Sequence, residues 1–232
     1  KLNTFGRIMV TKAQLQKTRS KHFQKRGIDV IGLGLGPDDL TPIHRAVIDR
    51  AEILVGGRRL LEMFPDAAAE KKAIGRDLEE IIAYIRPRMA RRSIVVLASG
   101  DPLFYGIGAK LVSAFGPERV TIHPNVSSVA AAFARIKEPW GGVRVLSVHG
   151  RDDAGELFRT LAQEGRAAVL TDPGHTPAWL ARRVLGKLGA GFRLAVMEAL
   201  GTAPERCGWS SLAETAAREF REPHVVLLPR AA

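Results

Sequence analysis

One cysteine, Cys207, stands in 232 residues, so no disulfide can form within the chain. The six histidines are scattered, and neither they nor the cysteine fall at the short spacings that grip a metal ion, so no structural metal is expected. No apolar run approaches the ~20 residues of a membrane span, and no small-residue cleavage site follows an apolar leader. These absences lead us to expect a cytoplasmic protein without a membrane association.

Acidic residues are missing from one place in particular. Residues 1–27 hold Lys1, Arg7, Lys12, Lys17, Arg19, Lys21, Lys25 and Arg26 and no Asp or Glu. Taking these eight from the chain's 35 Lys and Arg leaves 27 against all 24 acids, so most of the +11 charge sits in the extension. A body that close to neutral does not resemble a surface that tracks phosphates, and no nucleic-acid partner is expected. The extension reads as a leader separate from the fold.

What the chain does have is a hydrophobic fraction of 46% and a regular alternation of segments. From Ile28 onward, strand-like apolar runs alternate with helix-period stretches, the pattern of an α/β fold. The strand candidates are Asp29–Leu35, Ile53–Val55, Ile94–Ala98, Val120–His123, Val143–Val148, Ala167–Thr171, Leu194–Met197 and His224–Leu228. Leu40–Ala51 reads as a helix capped by Thr41 with Pro42 in its first turn. Leu78, Ile81, Ile82 and Ile85 mark the apolar face of another, with Asp77 as its cap, and Ser127–Ile136 is an alanine-rich third. A strand ends at His123-Pro-Asn125 and a new series begins, so the domains are expected at 28–124 and 125–232, after the basic extension 1–27.

Two loops carry chemistry. Ile94–Ala98 has the β-branched content of a strand buried on both faces, as in a parallel sheet, and it runs into Ser99-Gly-Asp-Pro102. Ligands of open α/β sheets bind beyond such carboxyl ends. Gly100 keeps a β-carbon away from an approaching ligand, and Asp101 offers one fixed carboxylate. The other loop, Gly32-Leu-Gly-Leu-Gly-Pro37, fails as a dinucleotide fingerprint because Pro37 stands where the third glycine is needed. No lysine follows in the place a phosphate-binding loop requires.

In this order, Gly34-Leu-Gly-Pro-Asp-Asp-Leu-Thr41, Ser99-Gly-Asp-Pro-Leu-Phe104, Pro124-Asn-Val-Ser-Ser128, Thr171-Asp172 and Glu198-Ala-Leu-Gly201 resemble the motifs of the tetrapyrrole methylases. These are S-adenosylmethionine-dependent enzymes of cobalamin and sirohaem synthesis. Within the family, Val55-Gly-Gly-Arg-Arg-Leu60, Pro177 and Glu205 are similar to the branch that methylates carbon 5 of a precorrin. The resemblance implies two α/β domains with the cofactor, S-adenosyl-L-methionine, in the cleft between them. It implies a homodimer, and a separate partner for methylation at carbon 15 and decarboxylation.

The resemblance also assigns residues. Pro37, Ser99, Gly100, Asp101 and Phe104, with Ser127 and Ser128, would surround the methionine and sulfonium end of the cofactor. Thr171, Ala199 and Leu200 would lie near its adenosine, approached also by His224. Arg58 and Arg59 would bind the carboxylates of the substrate. Asp101 is taken as a positioning group rather than a base. Plainer roles compete: Ser127 and Ser128 can cap a helix, Phe104 can be core, and His44, His123, His149, His175 and His224 itself read as packing or surface histidines. Competing functions are methylation of another acceptor, such as a ribosomal-RNA 2′-hydroxyl, and a non-catalytic subunit that binds a corrin intermediate.

Overall fold

The computed structural model describes residues 27–75, 77–148 and 154–230. His149 and all of the basic extension except Gly27 lie outside them.

The first half is a five-stranded parallel sheet. Strands β1 (Ile28–Gly32), β2 (Ile53–Gly56), β3 (Glu70–Ala73), β4 (Ile94–Ala98) and β5 (Val120–His123) stand in the order β3-β2-β4-β1-β5. Side chains alternate faces along a strand. Ile28, Val30, Val96 and Ala98 therefore pack on one side with Ile81, Ile82 and Ile85 of a helix over Leu78–Ile85. Ile31, Leu54, Val95 and Leu97 pack on the other with Val47 and Ile48 of a helix over Pro42–Ile48. Burial on both faces is what the unbroken apolar run Ile94–Ala98 requires. From β1 the chain crosses to β2 on one side, and from β4 to β5 on the other, so the topology reverses between β1 and β4. Crevices at such reversals are where ligands of open sheets bind.

The second half is built differently. Strands β6 (Val145–Ser147), β7 (Arg166–Leu170), β8 (Arg193–Glu198), β9 (Arg206–Ser211) and β10 (His224–Pro229) form a sheet in the order β6-β7-β10-β8-β9. Only β6 and β7 run parallel; β10 is antiparallel to both neighbours, and β8 and β9 are an antiparallel pair. Helices over Gly155–Glu164, Pro177–Leu188 and Leu212–Ala216 cover one face. The other face, with Ala168, Ala195, Met197, Val225 and Leu227, packs against a helix over Ser128–Ile136 and draws in Leu35 and Phe104 from loops of the first half.

The sequence pattern misses β3 and β9. Both are edge strands, with three of four residues exposed in β3 and five of six in β9, so neither carries an apolar run or a clean alternation. The first strand is also shorter than Asp29–Leu35. The ladder ends at Gly32 because Gly34, at φ +62°, turns the chain into a bridge with Gly100. The first helix covers Pro42–Ile48 of the expected Leu40–Ala51, capped by Thr41 as read from the sequence. Its N3 residue, His44, completes the cap: Thr41 Oγ1 accepts from the His44 N–H at 3.2 Å, and His44 Nδ1 accepts from the Thr41 N–H at 3.4 Å.

Asn125, between the two sheets, fastens the edge where the loops meet. Its Nδ2 donates to the carbonyls of Gly32 at 3.0 Å and Asp39 at 3.2 Å, while its Oδ1 accepts from the Val126 N–H at 2.8 Å. Asn125→Ala leaves these groups without their partner, and a cost of about 1–3 kcal/mol is expected. For a chain of this size that is a fall in Tm of roughly 2–4 °C per kcal/mol, to be read in a thermal melt.

Candidate active site at the edge of the parallel sheet

The loops that leave β1 and β4 touch backbone to backbone. Gly34 N–H donates to the Gly100 carbonyl at 3.2 Å and Gly100 N–H returns a bond to the Gly34 carbonyl at 3.0 Å. A β-carbon on Gly32 would sit 2.4 Å from the Gly100 oxygen, so only glycine allows this approach. A β-carbon on Gly100 itself would meet its nearest neighbour, Ser127 Cα, at an ordinary contact distance of 3.7 Å, but the φ of +62° lies in the left-handed region. Its glycine is therefore required by conformation rather than by crowding.

Asp101 closes the next turn. Its Oδ1 accepts from the Leu103 N–H at 2.8 Å and its carbonyl from the Phe104 N–H at 3.2 Å, an arrangement that fixes the loop. Tyr105, at φ +53°, reaches across to the second sheet, where its hydroxyl donates to the Val145 carbonyl at 2.6 Å. Ser127 Oγ accepts from the Ala130 N–H at 3.2 Å and so caps its helix, while still facing the same space.

The far wall comes from the second half. Leu170 and Thr171 at the end of β7, Pro223, His224 and Val225 at the start of β10, and Leu200 face the glycine loops across a cleft of about 430 Å³. His224 is 5% exposed. Its Nδ1 is hydrogen-bonded to Thr171 Oγ1, which also donates to the His224 carbonyl at 3.1 Å; its Nε2 is buried with no partner among the described residues. Burial pushes the His224 pKa below the ordinary imidazole value, against the opposing pull of nearby carboxylates such as Glu222 and Glu198.

Of the residues singled out in the sequence, Arg59, Ser99, Gly100, Asp101, Phe104, Ser127, Ser128, Thr171, Leu200 and His224 line this one cleft. Pro37, Arg58 and Ala199 do not. The chain turns back before Pro37, so Gly34 and Leu35 take its place on the wall, and the Pro37 carbonyl instead accepts from Arg45 Nη2 at 2.7 Å. Arg58 opens a short helix over Arg58–Glu62 one position before the side chain that reaches the cleft. Ala199, buried at φ +51°, donates its N–H to the Pro223 carbonyl at 2.8 Å and shapes the turn behind Leu200. Glu198 and Glu205, quoted for the resemblance, also have structural partners: Glu198 Oε2 accepts from the Arg221 N–H at 2.7 Å, and Glu205 pairs with Arg135. That guanidinium holds the Glu205 carboxyl below its usual range.

The sequence reading missed Leu35, Tyr105, Leu170 and Val225. Leu170 and Val225 are cross-strand partners on neighbouring strands, and only their pairing brings them to one wall. Tyr105 stands directly after the glycine loop's Phe104, and that adjacency was its one visible signal. Among the described residues no group of His, Cys, Asp and Glu could hold a metal ion.

The cleft suits a folded nucleoside carrying an amino-acid arm. Its volume falls in the range of small-molecule sites, which are mostly apolar with a few convergent polar groups. Backbone and hydroxyl groups gather at the glycine loops, apolar side chains gather at the far wall, and an unpartnered buried imidazole nitrogen awaits a hydrogen bond.

The depressed pKa of His224 has a consequence for stability. Unfolded, the ring takes its proton near pH 6.5; folded, it takes it only at lower pH. The unfolded chain therefore binds more protons in that window, and stability present above pH 6.5 is lost as the pH falls. His44, also lowered by burial and by His123, acts with the same sign. A series of melts between pH 7.5 and 5 is expected to show Tm falling below pH 6.5, with a shallower slope in His224→Gln.

The family model for Tetrapyrrole (Corrin/Porphyrin) Methylases matches residues 28–216. The cobalt-precorrin-7 C(5)-methyltransferase of Salmonella typhimurium is 38% identical over 184 residues, covering 78% of this chain and 89% of that protein. The precorrin-6Y C(5,15)-methyltransferase [decarboxylating] of Mycobacterium tuberculosis is 32% identical over 182 residues, 76% of this chain and 45% of the longer relative. Two solved structures share the fold. The precorrin-6Y methylase of Archaeoglobus fulgidus superposes with a TM-score of 0.68 at 21% identity, covering 90% of this chain and all of that one. The uroporphyrin-III C-methyltransferase of Thermus thermophilus, complexed with S-adenosylhomocysteine, gives 0.70 at 24% identity, covering 88% of this chain and 97% of that one. With its motifs in order around one cleft and its family model spanning most of the length, the chain belongs to the tetrapyrrole (corrin/porphyrin) methylases.

Proposed function

We propose that this protein transfers a methyl group from S-adenosyl-L-methionine to carbon 5 of a precorrin of the precorrin-7 type. The observation that carries the reading is the cleft at the reversal between β1 and β4, where the Gly34–Gly100 contact faces Thr171 and His224. The Salmonella relative, named for that position of the macrocycle, supports the choice of acceptor.

The cofactor supplies a methyl group on a sulfonium, which an electron-rich ring carbon can displace in line. Such a step needs no nucleophilic side chain. The protein's work is to hold the two reactants in line and keep water out. On this reading Ser99, Gly100, Asp101, Phe104, Ser127 and Ser128 hold the amino-acid end, with Asp101 acting through the loop it fixes. Thr171, Leu200 and His224 hold the nucleoside. Arg59, exposed at the mouth of the cleft, pairs with a carboxylate of the substrate, for which its planar fork of donors is suited. The same proposal carries a cytoplasmic homodimer, the domain boundary near residue 124, and a separate partner for carbon 15. The mycobacterial relative named for both carbons is only 45% covered by the match, so the stretch shared with this chain leaves room for the second activity elsewhere.

Mixing the protein with S-adenosylmethionine and precorrin-7, with and without cobalt, should add the mass of one methyl group to the macrocycle. A folded protein that leaves every precorrin unmethylated and gives no calorimetric heat with S-adenosylhomocysteine sinks the proposal. Arg59→Ala is expected to weaken acceptor binding by about 1.5–3 kcal/mol while leaving cofactor affinity alone. Arg58→Ala, away from the cleft, serves as the comparison and should stay near wild type in both titrations.

A further inference from the structure

His224 carries a polar atom that the chemistry proposed above leaves unused. Nε2 is buried and has no hydrogen-bond partner among the described residues, on a side chain 95% removed from solvent that lines the cleft. Leaving such an atom unpaired is costly, and native interiors rarely do so without a reason.

The protonation of the ring is set by its neighbour. Thr171 has one hydroxyl proton and two candidate partners on His224. The carbonyl oxygen, at 3.1 Å, can only accept, so the hydroxyl donates there. The other contact, between Thr171 Oγ1 and His224 Nδ1, then needs its proton from the ring. With Nδ1 protonated and the ring kept neutral by burial, Nε2 bears a lone pair. It is an acceptor held in a fixed direction by a bond on its opposite side.

Leu170, Leu200, Pro223 and Val225 line the cleft beside it. Such a wall fits a flat apolar ring with a polar edge. It does not fit an ammonium, whose charge would be stripped of water with no carboxylate on the stretch of cleft wall beside it. Among the lining residues the one acid is Asp101, on the loop after β4.

We propose that His224 Nε2 accepts a hydrogen bond from the exocyclic amine of the cofactor's adenine, making His224 the residue that tells adenine from a 6-oxo purine. This rests on the cofactor reading above and adds to it the atom that selects the base. A 6-oxo purine would set a carbonyl oxygen against the Nε2 lone pair, two acceptors facing each other without a proton between them.

Calorimetric titrations with S-adenosylhomocysteine and S-inosylhomocysteine, in which a carbonyl replaces the amine, test this on the full chain. The wild type should prefer the adenosyl compound by about tenfold or more. His224→Leu should bring the two affinities toward each other, chiefly by weakening the adenosyl compound. His224→Gln, whose amide can present either an oxygen or an N–H, should bind both and so narrow the preference while keeping affinity; a thermal melt verifies that each variant is folded. A preference unchanged in both variants overturns the inference alone and leaves the cofactor reading standing, because backbone groups would then read the base. Wild type with equal affinity for the two compounds overturns it as well, as when the imidazole bonds a ribose hydroxyl that both share. A folded wild type that binds neither overturns the cofactor reading and this inference with it.

Discussion

The double hydrogen bond between Gly34 and Gly100 is the constraint on which the site depends. Parallel strands normally end in loops that diverge toward the next helices. Here the loops after β1 and β4 are stitched to each other by two backbone bonds at the point where the topology reverses. The contact demands glycine at three positions for two reasons. Gly32 has no room for a β-carbon, and Gly34 and Gly100 take left-handed backbone angles. Together they make a rigid shelf of backbone and short hydroxyl side chains at the sheet edge.

A shelf is not a cleft until something faces it. The second half does so through contacts that couple the two sheets at the same place. Leu35, just past Gly34, lies so close to Gly201 that a β-carbon there would come within 2.3 Å of Leu35 Cβ. Phe104 packs into the core beneath the second sheet while still lining the cleft. Tyr105 bonds to the β6 edge, and Asn125 ties the stretch between the halves to the Gly32 strand end. Residues that shape the site thus also join the halves, so the geometry of the site and that between the two sheets are coupled.

Physical reasons separate what was legible in the chain from what was not. The buried strands announced themselves because a parallel sheet covered on both sides needs uninterrupted apolar residues, as in Ile94–Ala98 and Ile53–Val55. Caps were legible at Thr41, Asp77 and Ser127 because one side-chain oxygen meets one backbone N–H a few residues on. Edge strands β3 and β9 were not, since an exposed edge has little apolar content to show. Pro37 and Arg58 were each placed close to a residue that does line the cleft. Motif position locates a loop, while its backbone angles decide which of its residues face inward.

By itself the sequence determined the α/β alternation and the two glycine loops, because each depends on residues a few positions apart, while the class of chemistry was legible only through the resemblance of motifs spread along the chain to those of a known family. Tertiary structure alone decided the antiparallel insertion of β10 between β7 and β8. That pairing sets His224 beside Thr171, 53 residues earlier, and leaves one imidazole nitrogen bonded and the other buried without a partner among the described residues. No local pattern encodes it. The burial that keeps the ring neutral and the hydroxyl that fixes its proton come from strands that meet only when the second sheet closes.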